Sequence, residues 1–241
     1  MQIINKYISS INREIKVIYN ILICGISIFK REYLLTYRNF YNLLTIIVFF
    51  VLGILIFIFA IGPEKELNNE IGIAIIWTLL LLSTNLSIRK FYQEDFNDGS
   101  IILFFISGIS LEFLVILKIL TAWLFFHFPF VVIIPIISFL LNVENEKIIT
   151  MLLTFLVGSP ILASLSSIAG SMNLLNDKNF TIGSNIIMLF SIPLIIFSVG
   201  IINEPQELMK AQLNILLGIL MLSLAITPWV SAICIRIAIR N

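Results

Sequence analysis

Three carboxylates, Glu94, Asp95 and Asp98, fall within five positions of the stretch FYQEDFNDGS (Phe91 to Ser100), in a chain of which only 12% is charged. If residues 89–98 form a short helix, Glu94 and Asp98 stand one turn apart with Asp95 beside them, and Tyr92 and Phe96 make an adjoining aromatic ridge. Gly99 supplies the stop, as a glycine just past a helix end commonly does. Such an element can dock, its aromatic ridge entering a groove on a partner while its carboxylates meet basic residues there. The plainer reading is a solvated turn, acidic because its surroundings are wet.

Two ionisable residues sit well inside apolar runs, where an unpaired charge is costly. Lys118 lies six residues after Glu112, about 9 Å along a helix, so its ammonium can snorkel to the interface; the other reading is a role in a gate, with Trp123 nearby in the same run. His127, in FFHFPF, is the single histidine. A lone imidazole can ligate a haem iron axially. More commonly it is neutral and bonded to a backbone carbonyl, here one freed by Pro129. Farther on, Ser159, Ala163, Ser167 and Ser171 recur at every fourth position and form a ridge of small side chains that lets another helix approach closely. That ridge serves either packing within the chain or contact between copies.

Other chemistry is missing. No G-x-x-x-x-G-K-[ST] loop occurs, so the usual nucleotide cradle cannot form here. Cys24 and Cys234 stand far apart in apolar contexts and belong to no C-x-x-C arrangement, so they read as packing residues and no metal site is legible. We expect no catalytic centre. A net charge of +1 with no basic run interleaved with aromatics points away from nucleic acid.

The elements that must position these residues are apolar helices. With 59% hydrophobic residues and a mean hydropathy of +1.07, the 241-residue chain carries more apolar surface than a compact globule would bury. Lipid is the implied solvent, and long unbroken runs exclude a transmembrane barrel. Runs bounded by charge predict six spans, at about 43–62, 71–88, 111–141, 148–169, 182–202 and 213–235. The third is long for one crossing and too short for two, so a tilted or kinked single helix around Pro129 is expected. Pro135, Pro160, Pro193 and Pro228 also fall within spans, where proline serves packing or a hinge. Ahead of the first span, residues 21–40 predict an amphipathic interfacial helix, with Ile26, Phe29, Tyr33, Tyr37 and Phe40 at steps of three and four and Arg31 and Arg38 opposite.

Six spans put both termini on one side. Placing them in the cytoplasm leaves only Lys65, Lys147 and Lys210 of the 15 Lys and Arg outside, as the positive-inside rule demands. The acidic stretch then lies in a cytoplasmic loop, 89–110.

The order of features now carries a resemblance: an amphipathic helix, a first span, the outer turn IGPE (Ile61 to Glu64), a second span with IIW (Ile75 to Trp77), and then FYQEDFNDGS. Lys118 with Trp123, GSP (Gly158 to Pro160) and TPW (Thr227 to Trp229) follow in sequence. From about Ile28 to the C-terminus the chain resembles the haem exporter protein B (CcmB) family, the membrane subunit of an ABC-type complex in cytochrome c maturation. The first 20 residues look like an extension beyond the family pattern, leaving 21–241 as one permease domain.

The resemblance implies an all-α polytopic permease of the ABC-2 or type V exporter kind in the bacterial inner membrane, pairing with itself and with a separate ATPase, CcmA. CcmC, CcmD and the haem chaperone CcmE complete the set of implied partners. ATP would bind the ATPase, haem would be the substrate, and this chain would hold no cofactor of its own. The carried-over coupling role falls on Glu94, Asp95, Asp98 and Gly99. Rival readings are a membrane scaffold that does not transport, or a secondary transporter; no internal repeat or buried acidic pair supports the latter.

Overall fold

The structure is a computed structural model, and it describes residues 23–38, 40–61, 65–87, 91–141, 143–175, 181–203 and 206–240. The N-terminal extension read from the sequence lies outside the described residues, as do residues 62–64 of the outer turn and residues 88–90, where the acidic helix was expected to start. Two compact units divide between Asn39 and Phe40. The first contributes helix α1 (residues 23–38), on which Ile26, Tyr33 and Tyr37 are exposed. The Tyr33 and Tyr37 rings stack with centroids 6.5 Å apart, and Arg31 pairs with Glu32 at 2.8 Å.

The second unit is built from α2 (Phe40–Ile61), α3 (Lys65–Ser87), the short α4 (Gln93–Asn97) and α5 (Ser100–Ile106), then α6 (Leu111–Ala122), α7 (Phe130–Leu140), α8 (Asn145–Asn173), α9 (Thr181–Asn203) and α10 (Gln206–Arg240). Among the described residues every regular element is helical. Five stretches of the described residues are long and apolar enough to cross a bilayer: Leu43–Ala60, Leu111–Leu140, Asn145–Asn173, Asn185–Asn203 and Leu208–Arg240. The span expected at 71–88 falls in α3, whose apolar part, Ile71–Leu86, is shorter.

The third span is one run interrupted by a π-helical turn, Trp123–His127, between α6 and α7. Pro129 lacks the N–H that the Phe125 carbonyl would otherwise accept, and the helix widens just upstream. The Phe128 N–H donates to the Trp123 carbonyl at 3.1 Å, five residues back, before ordinary helix resumes. The later prolines, Pro135, Pro160, Pro193 and Pro228, all lie inside continuous helices.

α8 is the hub: more than half of its most apolar stretch is buried, whereas most of that of α2 is not. An aromatic cluster marks the core around it. Phe50 of α2 meets Phe130 of α7 edge-on at 5.0 Å, Phe130 lies 6.5 Å from Phe155 of α8, and Trp77 of α3 lies 6.4 Å from Phe155. The outward faces keep large side chains such as Phe59, Phe139, Leu222 and Trp229 exposed, the arrangement expected where lipid is the solvent.

Several hydroxyls along the spans return to their own helix. Thr84 donates to the Leu80 carbonyl at 2.7 Å, Ser164 to Pro160 at 2.9 Å and Ser166 to Leu162 at 2.8 Å. Each satisfies a polar group without water and keeps the helix surface slim. α8 and α9 approach closely: a Cβ on Gly183 would lie 2.7 Å from the Ala169 carbonyl oxygen, a backbone atom that cannot swing aside, so glycine is required there.

Candidate functional site

The acidic loop folds into less helix than its pattern suggested. α4 covers only Gln93–Asn97, capped by Tyr92 before it and Asp98 after it. Gly99 ends it with φ +77°, in the left-handed region that favours glycine, and the Asp98 carboxylate accepts the Ser100 N–H at 2.8 Å. α5 follows directly and ends before a second glycine of positive φ, Gly108.

The three carboxylates do not act alike. Glu94 and Asp98 are exposed. Asp95 is 6% exposed and forms an ion pair with Lys118, itself 5% exposed, on α6. This corrects two expectations. Asp95 does not face outward with its neighbours, and Lys118 does not snorkel; its ammonium is held inside by a carboxylate from another element. The reason is dielectric: once buried, each charge is tolerable only beside its opposite.

The aromatic ridge is corrected as well. Tyr92 is fully buried, with its ring under Lys118, whose Nζ lies 5.7 Å from the ring centroid. Its hydroxyl shares a hydrogen bond of 2.7 Å with Ser167 of α8, and Ser167 shares another of 3.1 Å with Ser231 of α10. Only Phe96 of the ridge remains half-exposed. A phenol is amphipathic, and helical periodicity alone does not say whether its oxygen finds a partner inside.

Residues 159, 163, 167 and 171 do share one face, and the whole ridge is buried within the chain. Ser159 accepts the Trp123 indole N–H at 2.9 Å, Ser167 joins the tyrosine as above, and Ser171 lies beside the Cys234 thiol. The ridge packs against this chain's own helices.

His127 is buried in the π turn. Its Nδ1 lies 3.5 Å from the Ala122 carbonyl oxygen, five residues back on the widened turn, so the carbonyl beside it is that of Ala122 and not one four residues before Pro129. Its Nε2 meets no hydrogen-bond partner among the described residues.

Four participants were not singled out as site residues by the sequence reading: Ser231, Glu112, Arg236 and Asn173. Ser231 had no distinguishing signal. Glu112 and Arg236 form an ion pair of 2.5 Å between α6 and α10; opposite charges at the same membrane face were the available clue. Asn173 accepts the Gly183 N–H at 3.2 Å, tying the end of α8 to the start of α9.

Long apolar helices around a serine-rich hub, with a short acidic helix pinned to them by a buried ion pair, define a polytopic helical membrane protein. Residues 24–238 match the family model described as CcmB protein, and the chain belongs to that family. It is 28% identical over 221 residues to heme exporter protein B of Haemophilus influenzae, covering 90% of this chain and 99% of that one. To heme exporter protein B of Pseudomonas aeruginosa it is 27% identical over 211 residues, 87% of this chain and 95% of the relative. For that of Bradyrhizobium diazoefficiens the figures are 29% over 194 residues, 79% and 87%.

Proposed function

We propose that this chain is the permease subunit of an ABC-type haem exporter serving cytochrome c maturation in the bacterial inner membrane. Support comes from the family match over residues 24–238 and from relatives named heme exporter protein B that it covers nearly end to end. In this reading α3 supplies the second of six crossings, both termini are cytoplasmic, and two copies pair in an ABC-2-like arrangement with a CcmA-like ATPase. CcmC-like and CcmD-like subunits and a CcmE-like chaperone complete the assembly. ATP-bound ATPase favours one arrangement of the helices and hydrolysis restores the other. The output is haem delivery, by passage or by release of the loaded chaperone.

The observation that carries the coupling role is the division within the acidic loop: Asp95 anchors α4 to α6, while Glu94 and Asp98 stay on the exposed face. Exposed carboxylates steer and register a basic partner; the buried one fixes the platform. Charge reversal at Glu94 and Asp98 together should abolish copurification of the ATPase while membrane insertion persists. Unchanged association would remove the docking role. A mere scaffold would leave ATPase turnover the same with and without this subunit.

A further inference from the structure

We propose that the Asp95–Lys118 pair, with Tyr92, Ser167 and Ser231, is the transmission that makes α4 move as one body with the membrane helices. The proposal rests on the coupling reading above and names the residues that act after docking. The bonds described above join them to one another across helices, so they are assigned as positioning residues.

Consider what joins α4 to the rest of the unit. Its first attachment is the Asp95 carboxylate on the Lys118 ammonium, to α6. The second is the Tyr92 hydroxyl on Ser167, to α8, which continues through the Ser167–Ser231 bond to α10. Lys118 also lies against the Tyr92 ring, so the two attachments are one cluster and not two independent contacts. α6 and α10 are joined a second time by Glu112 and Arg236.

Separating two buried charges of opposite sign exposes each to an apolar surrounding that cannot solvate it. Bonded hydroxyls inside a low-dielectric interior likewise resist being parted. A displacement applied to the exposed face of α4 is therefore passed to α6, α8 and α10 instead of being absorbed between them. Compliance is left to the backbone on either side of α5, where Gly99 and Gly108 take positive φ. A loop held only by apolar contacts could slide over the bundle; this one is keyed to it by direction-specific bonds.

The test is made on the whole complex in cells that make c-type cytochromes. It compares wild type with Asp95→Asn/Lys118→Gln, which keeps a polar contact without either charge, and with Tyr92→Phe, which removes one hydroxyl. Three quantities are read: ATPase subunit copurified, ATP turnover of the purified complex, and haem-stained cytochrome c. We expect copurification to be unchanged and cytochrome c formed per ATP hydrolysed to fall roughly three- to tenfold in the neutral pair, with a smaller fall for Tyr92→Phe. A wild-type ratio in both assembled variants would overturn the transmission and leave the docking role standing. Should the neutral pair fail to assemble, Tyr92→Phe decides by itself, since it retains ring and charges; a wild-type ratio there overturns the proposal. Deletion of the chain with cytochrome staining intact would instead remove the haem-delivery reading beneath it.

Discussion

Trp123 donates its indole N–H to the Ser159 hydroxyl at 2.9 Å, joining the first residue of the π turn to the middle of α8. Truncating Ser159 to Ala should leave the indole without its acceptor and cost about 1 kcal/mol or somewhat more. A double-mutant cycle with Trp123→Phe, followed by thermal unfolding in detergent, should return a coupling of at least roughly 0.5 kcal/mol. Strictly additive effects would mean that the bond contributes nothing.

Lys118→Met takes away the ammonium that the buried Asp95 carboxylate pairs with on α6. The single substitution should destabilise by roughly 3–5 kcal/mol, whereas adding Asp95→Asn should recover most of that loss. Melting of the purified variants measures both. If the single and double variants melt together, the two charges are not interacting.

Gly183→Ala and Gly218→Ala make a matched pair. At Gly183 the new methyl would sit 2.7 Å from the backbone oxygen of Ala169, which cannot swing aside, and about 1–3 kcal/mol of overpacking is expected. At Gly218 nothing lies within 4 Å. There the change should be neutral or raise stability by up to about 1 kcal/mol through helix propensity. Equal melting temperatures for the two variants would contradict the close α8–α9 approach.

His127→Ala addresses whether the imidazole serves haem. Its Nδ1 is turned to the Ala122 carbonyl, and we expect the variant to assemble and to keep cytochrome c staining near the wild-type level. Lost staining with an assembled complex would assign Nε2 to the haem.

Much of the scaffold was legible because lipid imposes a simple grammar: long apolar runs, hydroxyls tolerated where their own helix can accept them, and small residues at every fourth position turned toward a neighbour. The ridge from Ser159 to Ser171 could be placed on one helix face in this way. Lys118 was misread because the sequence gives only its axial distance from the polar end of its own helix, while its counterion arrives from a separate element. Tyr92 was misread for a similar reason: spacing put it on an aromatic stripe, but its depth depends on Ser167, which lies on another helix. Pro129 signalled a bend, yet the form of that bend, a widened turn beginning at Trp123, depends on how the neighbouring helices pack.

The length of α10 has a final consequence. Its 35 residues extend about 52 Å at 1.5 Å each, against roughly 30 Å of hydrocarbon, so it must lean steeply or protrude like a mast. Arg236, clasped to Glu112 near the foot of that mast, then acts as a depth mark. Thicker or thinner bilayers would change its rake while the clasp holds its footing.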